Sequence, residues 1–102
     1  MKFVEACALS QIAPGKSLAL RLEGKDVALF NVDGEVFALE NTCPHHGSAL
    51  AGGCLSGHVV RCPAHGLRFN VATGAHVSIP QLAVATFRVR VTDDLVQVAL
   101  DA

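Results

Sequence analysis

The sequence predicts an all-β domain with two ligand-bearing loops inserted near its middle. Three observations support this. Apolar residues alternate with polar ones at both ends of the chain, no stretch carries an amphipathic helical period of useful length, and turn signals built on Gly or Asp recur between the alternating runs. With 102 residues the chain suits one domain, 1–102. A domain this small buries only about two-thirds of its unfolded surface. With no Trp or Tyr and 5 Phe, its core must be mostly aliphatic.

Residues 3–9 read as a first short strand, and Pro14-Gly15 as a turn. Leu18, Leu20 and Leu22 alternate with Ala19 and Arg21, the period of a half-buried strand. Residues 26–31 form the next strand, and Asp33-Gly34 turns the chain into a strand over 35–40. From 41 to 57 the pattern breaks, and Gly47, Gly52, Gly53 and Gly57 punctuate a loop. Short strands are expected at 59–61 and 67–71, the second closed by a Thr73-Gly74 turn, and Pro80 marks a further loop. Phe87, Val89 and Val91, then Val96, Val98 and Leu100, form the last two strands around Asp93-Asp94. The base strands therefore fall in 1–40 and 71–102, and the inserted loops in about 41–70.

The inserted part carries the chemistry. Cys43-Pro44-His45-His46-Gly47 and Cys62-Pro63-Ala64-His65-Gly66 each supply one Cys and one His, spaced C-x-H and C-x-x-H with 16 residues between. Two thiolates and two imidazoles make a metal site. A tetrahedral Cys2His2 site suits zinc as well as iron. Zinc ribbons and fingers more often use C-x-x-C knuckles, whereas each loop here mixes one Cys with one His. In a [2Fe–2S] cluster, Cys43 and Cys62 would hold one iron while His45 and His65 hold the other. The oxidised core carries +2, so two thiolates and two neutral imidazoles bring the site to zero. Four thiolates would leave a dianion, which is harder to reduce. Such mixed centres accordingly run from about −150 to +300 mV, against about −400 mV for plant-type ferredoxins.

The motif, with Pro-His-x-Gly after the first Cys and His-Gly closing the second pair, resembles that of Rieske [2Fe–2S] proteins. The likeness extends to the flanking strands and so covers most of the chain. It implies an antiparallel β-sandwich or barrel base with a cluster-binding subdomain of two loops. It implies one Rieske-type [2Fe–2S] cluster on Cys43, His45, Cys62 and His65, with a third, proline-bearing loop around Pro80. The chain departs from the respiratory branch of the family. That branch joins its cluster loops by a disulfide, whose cysteines would fall at Ser48 and Ala64, and sets hydroxyls at positions matching Leu67 and Phe69. Neither device is possible here.

The resemblance therefore implies the ferredoxin component of a Rieske oxygenase system, not an enzyme itself. Such a carrier takes single electrons from a flavin-dependent NAD(P)H reductase and hands them to a terminal ring-hydroxylating Rieske oxygenase in aromatic hydrocarbon catabolism. The alternative is the small subunit of an NADH-dependent nitrite reductase, some of which share the fold and lack the ligands. A zinc-stabilised interaction module, or a redox sensor that binds a regulator, is the third reading.

Composition narrows the partners. Mean hydropathy is +0.42, but no apolar run approaches the ~20 residues that span a bilayer. The sequence pI near 6.5 and the absence of aromatic–basic interleaving argue against nucleic acid. Cys/His pairing at ligand spacing points to metal in a reducing cytoplasm. Cys7 and Cys54 read as small apolar residues, and His46, His58 and His76 as loop or surface histidines. Charge is uneven. Residues 41–92 hold four Arg and no acid, for +4, while the remainder holds four Lys/Arg and nine acids, for −5. This suggests that Arg61 or Arg68 steers a partner towards an apolar tip of Pro44, His45, Leu50, Pro63, His65, Leu67 and Pro80.

Overall fold

The computed structural model describes residues 2–41, 50–62, 67–79 and 81–100. The described residues form nine strands: β1 (Phe3–Ala8), β2 (Ser17–Leu22), β3 (Lys25–Val32), β4 (Glu35–Glu40), β5 (Cys54–Ser56), β6 (Val59–Arg61), β7 (Arg68–Asn70), β8 (Thr86–Thr92) and β9 (Leu95–Ala99). Among the described residues the one helical element is a 3-10 turn, Leu9–Gln11. Strands β1-β9-β8-β4-β3-β2 make an antiparallel sheet in that order, and its edges β1 and β2 come back into contact, so it curls into a barrel. Strands β5-β6-β7 form a second, small sheet.

The meander β2–β4 and the hairpin β8–β9 follow the alternation of their residues. Asp33 (φ 51°) and Gly34 (φ 94°) both take left-handed backbone, which matches the twist of a two-residue hairpin turn. Among the described residues Asn31 is the one buried polar residue. Its amide donates to the Ile12 carbonyl at 2.6 Å, and its Oδ1 accepts the Gly34 N–H at 2.7 Å, so its burial leaves nothing unpaired. The sequence missed β5. Only Leu55 of its three residues faces inward, and one apolar residue makes no period.

Strand β3 is buried on both faces over 27–32. Val27 and Leu29 join Ile12, Val36, Ala38, Val96, Val98 and Leu100 inside the barrel. Ala28, Phe30 and Val32 face the other way. They pack with Leu39 of β4 against Leu50, Val60, Cys62, Phe69, Val71 and Val84. Each fully buried Leu, Val or Phe contributes about 1.5–3 kcal/mol of transfer free energy. The second cluster therefore clamps the small sheet onto the outside of the barrel wall.

Candidate metal centre

Of the four expected ligands, Cys43, His45 and His65 lie outside the described residues, as do Pro44, Pro63 and Pro80. Cys62 is described. It directly follows β6, is 1% exposed, and lies in the apolar cluster with Val60 and Phe69. Its N–H donates to the Leu67 carbonyl at 2.7 Å. That bond closes the neck of the second ligand loop.

The first ligand loop is closed by a side chain. Asn41 follows β4, and its Oδ1 accepts the N–H groups of both Leu50 and Ala51 at 2.9 Å. Leu50 is fully buried in the cluster that holds Cys62. The expectation that Leu50 forms part of an exposed tip is therefore wrong. It is the plug under the first loop, and Leu67 is half-buried beside the second. After Leu50 the chain turns back, with the Gly53 N–H on the Leu50 carbonyl at 3.1 Å and the Gly52 N–H on Ser17 Oγ at 2.8 Å. A Cβ on Gly53 would land on the Arg61 carbonyl oxygen, so only glycine lets this return pass against β6. Both necks thus converge on one apolar floor. Asn41→Ala would strand two N–H groups, each costing about 1–3 kcal/mol when buried and unpaired. We expect a lower Tm and faster cluster loss in that variant, measured by thermal melting and by decay of visible absorbance.

The third loop is built on His76, which the sequence reads as an ordinary surface residue. The imidazole Nδ1 accepts the N–H groups of Ser78 and Ile79 at 3.0 and 3.1 Å. The ring sits edge-on to buried Phe69, centroids 5.5 Å apart. The His76 N–H donates to Leu82, and Leu82 donates back to Ile79. His58 stays on the surface as expected, with its ring against Phe37. Cys7 and Cys54 form no disulfide. Burial, with the Asp94 charge nearby, pushes the Cys7 thiol above the ordinary cysteine range. Cys54 is exposed on the outer face of the small sheet, not packed as a small apolar residue.

The donor chemistry of this neck fits a Rieske cluster. Cys62 meets an apolar floor, where a net charge is costly. A +2 core with two thiolates and two imidazoles is neutral when oxidised, whereas a four-thiolate site would place a dianion there.

Known proteins agree. The chain is 40% identical over 100 residues to the biphenyl dioxygenase ferredoxin subunit of Pseudomonas sp. (strain KKS102), covering 94% of this chain and 92% of that protein. Its structure matches the ferredoxin in a complex of reduced oxygenase and oxidised ferredoxin of carbazole 1,9a-dioxygenase. The TM-score is 0.87 at 34% identity, over 95% of this chain and 92% of that one. It also matches a putative NADH-dependent nitrite reductase small subunit from Mycobacterium tuberculosis, with TM-score 0.91 at 29% identity over 99% and 96% of the two chains. The family model for the Rieske [2Fe-2S] domain matches residues 2–88. With the buried Cys62, the converging necks and this match over most of its length, the chain belongs to the Rieske [2Fe-2S] domain family.

Proposed function

We propose that this chain is the electron-carrying ferredoxin of a ring-hydroxylating oxygenase system. In this reading Cys43, His45, Cys62 and His65 hold one [2Fe–2S] cluster, with the base in 1–40 and 71–102 and the cluster-binding subdomain in about 41–70. When bound, the cluster takes up one electron and gives it back. The chain's own residues do the rest. Asn41, Leu50 and Leu67 hold the loop necks, and the apolar floor keeps water from the buried thiolate side.

The observation that carries the reading is the convergence of both necks on Cys62 and Leu50, in a chain 40% identical to a dioxygenase ferredoxin subunit. The related carbazole ferredoxin forms a complex with its oxygenase. This supports a terminal Rieske oxygenase as the electron acceptor. A flavin-dependent NAD(P)H reductase is the matching donor, because a one-electron carrier needs a partner that splits hydride pairs into single electrons. The cytoplasm, where NAD(P)H is available, is the compartment this implies. Among the described residues no helix is long and apolar enough to cross a membrane.

The test is reconstitution. With NADH or NADPH, reductase and oxygenase, hydroxylated aromatic product should form only when this chain is added. The nitrite reductase likeness supplies the second reading. It would be favoured by co-purification with a sirohaem reductase and no electron transfer to any oxygenase.

Missing side-chain donors bear on the potential. An N–H or O–H aimed at a cluster sulfur stabilises the extra charge of the reduced state, and neither Leu67 nor Phe69 donates from its side chain. The midpoint should lie near the low end of the Rieske range, at roughly −150 mV. Leu67→Ser should raise it by tens of millivolts, and Phe69→Tyr likewise, although Phe69 is fully buried and must also house a new hydroxyl. Spectroelectrochemical titration at pH 7 decides this. A midpoint above about +100 mV would show that backbone donors dominate.

A further inference from the structure

The outer face of the small sheet carries an unexplained arrangement of charge. Cys54, Arg61 and Arg68 pair across β5, β6 and β7 in one row, so the two arginines stand directly opposite each other, both exposed. Like charges in that position destabilise a sheet. Neither guanidinium has an ion pair or hydrogen bond among the described residues, and residues 41–92 contain no acid to supply one. Beside them lies a groove of about 530 Å³ whose apolar lining is Val59 and Val77. Val77 is 48% exposed, and the neighbouring Ile79 is 51% exposed. Solvent-facing aliphatics flanked by two unpartnered arginines have the composition of an interface, where Arg is enriched and apolar surface is expected.

The groove is also close in sequence and structure to the proposed centre. Arg61 immediately precedes Cys62, and Arg68 follows Leu67, whose carbonyl accepts the Cys62 N–H. A protein seated here would lie against the hairpin that carries half of the expected ligands.

We propose that this face is the docking surface for an acidic patch on the redox partner protein, one that sets carboxylates around an apolar side chain. The proposal rests on the electron-carrier reading and specifies its recognition chemistry. The carboxylates would pair with Arg61 and Arg68, and the apolar side chain would enter the groove between Val59 and Val77. Charge opposes a symmetric dimer through this face, since such a pairing would bring four arginines together.

The test compares wild type, Arg61→Gln/Arg68→Gln, and a control with the same charge loss elsewhere, Lys16→Gln/Arg88→Gln. All are used with cluster bound and with unchanged visible spectrum and midpoint. Stopped-flow measurements follow reduction by the reductase and oxidation by the oxygenase across ionic strength. Expected is a loss of about tenfold in at least one half-reaction at low salt for Arg61→Gln/Arg68→Gln, with a shallower salt dependence. The control should stay near wild type. Val77→Ser should weaken the same half-reaction without changing its salt slope. Wild-type rates in both half-reactions for Arg61→Gln/Arg68→Gln, or an equal loss in the control, overturn the docking surface alone. A wild type that transfers no electron to or from either component overturns the carrier reading, and the docking surface with it. Self-association of the wild type that the double variant abolishes also overturns the proposal.

Discussion

Replacing His45 or His65 by alanine leaves a bleached protein, with iron and acid-labile sulfide falling from about two each per chain to a small fraction of that. Loss of one imidazole leaves one iron under-coordinated, which destabilises the cluster. The base should survive. Among the described residues, its barrel cluster of Ile12, Val27, Leu29, Val36, Ala38, Val96, Val98 and Leu100 is drawn from outside the segment 41–70. Metal and sulfide analysis of anaerobically purified protein, beside far-ultraviolet circular dichroism, separates the outcomes. Wild-type protein with one zinc and no sulfide would sink the cluster assignment. Full colour in both variants would sink the ligand assignment while leaving the cluster.

Gly53→Ala is the second large effect, and it arises from backbone. The added methyl meets the Arg61 carbonyl, with the Leu50 carbonyl 3.0 Å away and a Val60 methyl at 3.1 Å. Two of these neighbours are main chain and cannot rotate aside. The β5–β6 ladder must shift, and it ends one residue before Cys62. Forced repacking of this kind costs about 1–3 kcal/mol, occasionally more. We expect a Tm several degrees lower and a shortened cluster half-life in air. Gly57→Ala is the control. Its φ of 58° strains a side chain, but nothing lies within 4 Å of the new Cβ, so its penalty is conformational, about 1 kcal/mol. If Gly53→Ala melts and bleaches like Gly57→Ala, the close approach does not matter.

The strands that were legible in the sequence are those whose side chains repeat. Leu18-Leu20-Leu22, Phe87-Val89-Val91 and Val96-Val98-Leu100 each announce a face, and β2, β8 and β9 follow them. The ligand spacing was legible for a similar reason, since chelation demands particular residue types at short intervals. What escaped was non-local. Asn41 holds residues nine and ten positions away, and no short-range pattern marks such a cap. Gly53 looks like its loop neighbours, and only the approach of β6 makes it special. Leu50 was misread because a lone leucine in a glycine-rich loop does not reveal whether it points out or plugs a floor. His76 carried no local signal either, as its partners at Ser78 and Ile79 are backbone amides.

The pairing of β1 with β9, Phe3 opposite Ala99, dictates an order of events during synthesis. The first strand leaves the ribosome with no partner, and its partner is the last strand made. Before then, β2–β4 and β5–β7 are complete and linked only by neighbouring contacts, which form quickly because little chain must be closed. When β7 is complete, the described part of the floor beneath both ligand loops lacks Val71 and Val84, while the barrel interior still lacks Val96, Val98 and Leu100. A nascent chain can thus present a nearly finished metal pocket on an open base, so assembly machinery could load iron and sulfide before the barrel shuts.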